Sequence, residues 1–162
     1  MLDSKTRKLT LAGILVAAAV LGGVFSFPVL GSRCAPMQHL VNILAAVFLG
    51  PLWGVGVAFS ASVLRNIAGL GSLMAFPGSM IGALLCGLAY HYTKRLELTC
   101  IAEALGTGIL GALAAYPVAA FLMGLNPASY TVYIVPFLIS TGAGSILAYL
   151  ALRFLLPKLW QH

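Results

Sequence analysis

Charge is what this chain has least of. Only 7% of its 162 residues are charged, and just three are acidic: Asp3, Glu97 and Glu103. A soluble domain carries roughly 25% charged residues. A surface built from this composition cannot be covered for water and must face lipid. Cysteine is scarce as well. Cys34, Cys86 and Cys100 are odd in number, and two lie inside apolar runs, so free thiols are expected rather than a disulfide framework. There is no paired carboxylate, no HExxH, no CxxC and no Walker A loop. His39, His91 and His162 are far apart in sequence, whereas a metal site needs about three or four converging ligands. These absences predict a non-catalytic protein with no cofactor and no metal.

What the chain does have is apolar length. Hydrophobic residues make up 61% of it and its mean hydropathy is +1.05, consistent with one compact membrane bundle. Nine Lys and Arg give a formal net charge of +6. They sit at the ends of apolar runs, where they signal topology and do not form a nucleic-acid-binding stripe.

The apolar runs and their breakers predict an all-α bundle of six transmembrane helices. They fall at about 9–27, 38–49, 51–68, 77–93, 98–123 and 130–156. The first is expected to be a retained helix. Ala17 and Ala19 make a formal signal-cleavage site, but Val20, Leu21, Val24 and Phe25 continue the run past it. The split at Gly50-Pro51 can be tested by charge. With six spans and both ends cytoplasmic, Lys5, Arg7, Lys8, Lys94, Arg95, Arg153 and Lys158 lie inside and only Arg33 and Arg65 outside, 7 against 2. One long helix over 38–68 would give 4 against 5. The aromatic belts agree: Trp53, Tyr90, Tyr92 and Trp160 fall near the inner interface, and Phe25, Phe27 and Tyr130 near the outer one.

Small residues recur four apart: Gly13 and Ala17, Ala18 and Gly22, Gly78 and Gly82, Gly108 and Ala112, Gly111 and Ala115. Such pairs let helices approach closely in lipid. Most should hold the bundle together; on the first helix they outnumber what one neighbour needs and leave room for a membrane partner. Glu103 is the one acid within a span, read either as a coupling carboxylate or as a group satisfied by helix hydroxyls or a partner near the inner interface.

Polar residues gather at the outer ends. Gln38, His39 and Asn42 open the second helix, Arg65 and Asn66 end the third, and Ser72, Phe76 and Ser79 flank the next loop. Tyr130 and Tyr133 begin the sixth helix, and Tyr116-Pro117 marks a kink in the fifth. Amides and an imidazole near lipid must pair with each other, with water or with a ligand. Together they make a candidate small-ligand pocket with aromatic walls, the alternative being a network that only stabilises loops. Arg33 and Arg65, taken singly, read as interfacial anchors.

These residues also carry a resemblance. Lys5-Thr6-Arg7-Lys8-Leu9, Cys34-Ala35-Pro36-Met37-Gln38-His39 with Asn42, Gly50-Pro51, Arg65-Asn66, Leu73 to Ser79, Gly106-Thr107-Gly108 and Ala115-Tyr116-Pro117 occur in an order that resembles the ThiW family. That family belongs to the substrate-binding S components of energy-coupling factor (ABC-type) importers. The resemblance covers nearly the whole chain. It implies a six-helix subunit in the bacterial or archaeal plasma membrane that captures a thiamine precursor, the thiazole moiety hydroxyethylthiazole, from outside. It implies as partners a transmembrane coupling protein and two cytoplasmic ATPases, with Gly13 and Ala17 standing where the family presents alanines to the coupling protein. The substrate-binding set expected here is Gln38, His39, Asn42, Asn66, Phe76, Ser79, Tyr116 and Tyr133. Phe76, Tyr116 or Tyr133 would supply a slot for the ring, and Gln38, His39, Asn42 and Asn66 the polar contacts. A stand-alone carrier or channel for a neutral solute, or an S component for another vitamin such as thiamine, are the competing functions.

Overall fold

The computed structural model describes residues 4–30 and 32–159, with side chains up to Leu155. Gly31, Trp160 and His162 lie outside the described residues, as does the side chain of Lys158. The described residues form six helical rods: α1 (Lys5–Gly22), α2 (Pro36–Phe48), α3 (Pro51–Ile67), α4 (Ala75–Thr93), α5 (Leu96–Leu122) and α6 (Ile134–Leu159). A two-stranded antiparallel hairpin, β1 (Phe27–Val29) and β2 (Ser32–Cys34), joins α1 to α2 in place of the expected irregular loop. Three rods, spanning Lys5–Phe25, Leu96–Leu122 and Ile134–Leu155, are long and apolar enough to cross a membrane by length and composition.

Local chemistry sets the boundaries. Ser4 caps α1 by accepting the Arg7 amide at 3.2 Å. Pro36 and Pro51 occupy the first turns of α2 and α3, where a missing N–H costs nothing. Between those two helices Gly50 adopts φ +89, a conformation open to glycine and strained for other residues, and the chain reverses there. The expected break at residues 50–51 is thus present. Helix α2 begins at Pro36, α4 at Ala75 and α6 at Ile134, each within a few residues of its expected start. Helix α5 is not a uniform α-helix. It runs through a π-helical stretch at Gly106–Gly111 and another at Val118–Leu122, just after Pro117. The kink expected at Tyr116-Pro117 takes this form.

Helix α2, only 13 residues, is the axial element; it packs against α1, α3, α4, α5 and α6. Helix α1 leans on α2 and α3 through the stripe Ala12, Leu15, Ala19 and Gly22. Glycines set the closest approaches. A β-carbon on Gly87 would stand 2.5 Å from Pro51 Cα, so α4 runs directly over the α2–α3 reversal. One on Gly111 would stand 2.7 Å from Gly78 Cα, and one on Gly106 3.0 Å from Gly82 Cα, so α4 and α5 meet backbone to backbone. Gly13 differs: nothing lies within 4 Å of its β-carbon position.

This contrast is testable by substitution. Gly87→Ala and Gly111→Ala should destabilise the bundle by about 1–3 kcal/mol through overpacking, whereas Gly13→Ala should melt like the parent. Thermal unfolding in detergent checks this, and equal melting of all three variants would refute the packing argument.

Candidate functional site

The hairpin, the turn after α3 and the facing ends of α2, α4, α5 and α6 enclose one cavity. Its volume is about 450 Å³ including the open mouth, yet only about 40 Å³ admits the centre of a water-sized molecule. That is room for roughly three waters. Gln38 and His39 enter from α2, Arg65 from α3, Ser79 from α4, Thr107 from α5, and Phe137 and Ser140 from α6, while Arg33 stands on β2 and Ser72 on the turn after α3.

Beneath the cavity lies a buried polar network centred on Glu103. One carboxylate oxygen, Oε1, accepts from His39 Nδ1 at 2.9 Å, Asn42 Nδ2 at 3.0 Å and Thr107 Oγ1 at 3.0 Å. Oε2 has no protein partner. The glutamate is fully buried, and α4 makes space for it with Gly82, whose absent β-carbon would collide with Thr107 and stand 2.7 Å from Oε2. With Glu103 as a carboxylate, which only accepts, and the imidazole neutral, His39 carries its proton on Nδ1. Its Nε2 then accepts from Ser140 Oγ at 3.1 Å, and Ser140 in turn accepts the Ala35 amide at 2.8 Å. A directed chain of hydrogen bonds therefore runs from the backbone after the hairpin, through Ser140 and His39, to Glu103.

Other members extend the network across the bundle. The second amide proton of Asn42 reaches Ser79 O at 3.2 Å, and its oxygen faces Gln38 Nε2 at 3.4 Å. Ser62 and Ser79 hydroxyls meet at 3.0 Å, and Ser79 donates to Ala75 O at 2.7 Å. Arg65 is only 3% exposed and donates through Nη1 to Gln38 Oε1 at 3.2 Å. Burial on this scale corrects the reading of Arg65 as an interfacial anchor. Arg33 is exposed, but its Nη1 donates to Gly69 O at 2.9 Å and ties the hairpin to the turn after α3. The hairpin is also held on α6 by Cys34, whose thiol donates to Pro136 O at 3.1 Å and is pushed above its ordinary pKa by burial.

Of the expected binding set, Gln38, His39 and Ser79 line the cavity. Asn42 lies under it in the network. Asn66 braces the turn through Ser62 O at 2.8 Å and Ser72 O at 3.1 Å. The three expected aromatics are engaged elsewhere. Phe76 sits edge-on to Phe59 at 5.8 Å, Tyr116 stacks on Tyr130 at 3.9 Å, and Tyr133 packs with Phe137 and Met74. The aromatic wall is Phe137 instead. Ser140 and Thr107 were also missed. Their sequence signals are weak but physical: Thr107 lies one turn from Glu103 on the same face, and Ser140-Thr141 interrupts an otherwise apolar start to α6.

Truncating the hub should be costly. Glu103→Ala leaves the His39 and Asn42 donors buried without their acceptor, while Thr107 keeps Gly78 O, and should lose about 3–5 kcal/mol. Glu103→Gln keeps an acceptor oxygen and should lose less. Thermal melts of both variants decide this, and an Ala variant as stable as the parent would show that the network contributes nothing.

A search among curated proteins finds no match to this chain. The family model of the ThiW thiamine-precursor transporter protein matches residues 9–158, nearly the entire chain. The order of its motifs, its apolar helices and that match agree, and the chain belongs to the ThiW family of thiamine-precursor transporter proteins.

Proposed function

We propose that the chain is the substrate-capture subunit of an energy-coupling-factor importer, taking a thiamine precursor, the thiazole moiety hydroxyethylthiazole, from outside the cell. In this reading all six rods cross the plasma membrane, both ends are cytoplasmic, and the hairpin end faces outward. The 7-to-2 distribution of Lys and Arg supports that orientation. The short α2 is no obstacle. At about 20 Å it falls short of the hydrocarbon thickness, but it packs among all five other helices.

The observation that carries the reading is the cavity at the loop end, lined by the hairpin and underlain by a hydrogen-bonded network. Phe137 offers a flat apolar wall for a thiazole ring, and the amide of Gln38 retains a proton for the ring nitrogen or the hydroxyl. The cavity as it stands is too tight for ring and arm together, so entry requires the hairpin to move; the Arg33–Gly69 hydrogen bond is the contact such movement must break. Work done elsewhere is consistent with the sequence, which has no phosphate loop of its own. Helices α1 and α3 also frame an apolar groove lined by Leu9, Gly13, Val16, Ala17, Val57 and Leu64. Such a groove suits a helix of the coupling protein, with Gly13 and Ala17 permitting close approach, and two cytoplasmic ATPases would complete the assembly.

One observation favours a second reading. A fully buried Glu103 hydrogen-bonded to His39 is the sort of group that ion-coupled carriers place within a membrane. Reconstitution separates the two. The purified protein in liposomes should bind hydroxyethylthiazole without accumulating it, and accumulation should appear only with the coupling protein and ATP-hydrolysing subunits. Accumulation by the chain alone would overturn the capture-subunit reading. His39→Ala, Asn42→Ala and Asn66→Ala should each weaken binding, by about tenfold per hydrogen bond lost from the site or its support. Unchanged affinity in all three would remove the assignment of this cavity.

A further inference from the structure

The mouth of the cavity carries two guanidinium groups for which the described residues provide no carboxylate. Arg33 Nη1 donates to Gly69 O at 2.9 Å, and Arg65 Nη2 to the next carbonyl, Leu70 O, at 3.3 Å. The two cations thus hang from adjacent peptide groups, and both line the cavity. Of the three acids, Glu103 is bound to His39, Asn42 and Thr107, and Glu97 meets Tyr149 at the other end of the bundle. Asp3 lies outside the described residues.

Arg65 is the telling member. At 3% exposure, with neutral carbonyls as acceptors and a like charge beside it, its guanidinium is a poorly compensated buried cation. It has five N–H donors. Nη1 and Nη2 each meet one acceptor, and Nε is buried beside Gly23 with none. Donor capacity on the two terminal nitrogens is therefore unspent at the cavity, and Ser32 and Ser72 add hydroxyls to the same rim. The deep wall is the opposite case: His39, Ser79, Thr107 and Ser140 already satisfy one another or the backbone. Donors are free at the mouth and used at the floor.

We propose that the mouth is an anion subsite, and that the group it takes is a phosphate monoester. Two guanidiniums from separate elements match a tetrahedral dianion with three acceptor oxygens better than they match a single neutral hydroxyl. The inference rests on the thiazole-capture reading only for the rest of the ligand: with the ring against Phe137, the arm points to the mouth, and its phosphorylated form is the better ligand. A lipid phosphate at the rim would present the same chemistry, so the test separates the two sources.

The protein, purified in an uncharged, phosphate-free detergent, is titrated with hydroxyethylthiazole, with its phosphomonoester and with inorganic phosphate. Calorimetry and thermal shift are read for the parent, Arg33→Gln and Arg65→Gln. The ester should bind about ten- to a hundredfold tighter than the alcohol, the gain expected of charge-assisted hydrogen bonds. Arg33→Gln should bring the ester down towards the affinity of the alcohol. Inorganic phosphate should raise the melting temperature of the parent and not of Arg33→Gln. Because Arg33 is exposed, that variant keeps the test decisive if Arg65→Gln does not fold. Binding of the alcohol with no preference for the ester overturns the anion subsite and leaves thiazole capture standing. Stabilisation by phosphate through Arg33 with neither thiazole compound bound supports the subsite and overturns the thiazole reading. Stabilisation by vesicles of phosphatidylglycerol but not by the ester or inorganic phosphate assigns the arginines to lipid and overturns the proposal.

Discussion

The bundle is organised around one carboxylate oxygen. Glu103 Oε1 collects donors from α2 and from its own helix; Asn42 spends its second amide proton on Ser79 O of α4, and the single Thr107 hydroxyl proton is shared between Oε1 and Gly78 O of α4. Three helices are thereby fixed in register by a single group. Among the described residues His39 Nδ1 has no acceptor other than this oxygen, whereas the Thr107 hydroxyl can turn to Gly78 O. The arrangement in turn requires α4 and α5 to touch. Gly78 and Gly82 on one side and Gly106 and Gly111 on the other remove the side chains that would hold them apart. The π-helical stretch of α5 covers the same residues, Gly106–Gly111. Glycine contacts and buried polar hub are therefore two parts of one device.

Much of this was legible in the sequence, for identifiable reasons. Helix breaks follow from residues with few backbone options. Gly50-Pro51 reverses the chain because only glycine adopts φ +89 without strain and proline suits the first turn that follows. Gln38, His39 and Ser79 could be placed near one another because each opens a helix at the same end of an up-and-down bundle. Which aromatic forms the wall could not be read. Phe76, Tyr116, Tyr133 and Phe137 all lie near that end, and the choice among them depends on the rotation of each helix about its axis. For Tyr116 the π-helical stretch at Gly106–Gly111, which precedes it in α5, shifts that rotation by a residue, which no count at 3.6 residues per turn includes.

Arg65 and Glu103 teach the same lesson from the charge side. Each lies within an apolar run, where sequence alone allows an anchor at the membrane surface, a mobile coupling group or a structural partner. Burial and partners decide among these. Glu103 has three donors and no exposure, and Arg65 has neutral acceptors and almost none. The two charges share the cavity region, but Gln38 and Asn42 stand between them: Arg65 holds the Gln38 oxygen, the Gln38 amide faces Asn42, and Asn42 donates to Glu103. The amides relay the polarity of one charge to the other and keep them from forming a direct pair.

That separation has a consequence for what the cavity can do. A direct Arg–Glu pair would neutralise both charges and leave a wall with little preference for any ligand group. Held apart by two amides, the charges leave the site polarised along the bundle axis, with donors toward the loops and acceptors toward the centre. A ligand entering from the loop end meets the positive pole first and is oriented before it is enclosed. Arg33 ties the hairpin to the turn after α3 at that same pole, so the contact that holds the hairpin there and one of the two charges at the mouth lie on one residue. On the capture-subunit reading proposed above, orientation and enclosure of the ligand would be coupled through that residue.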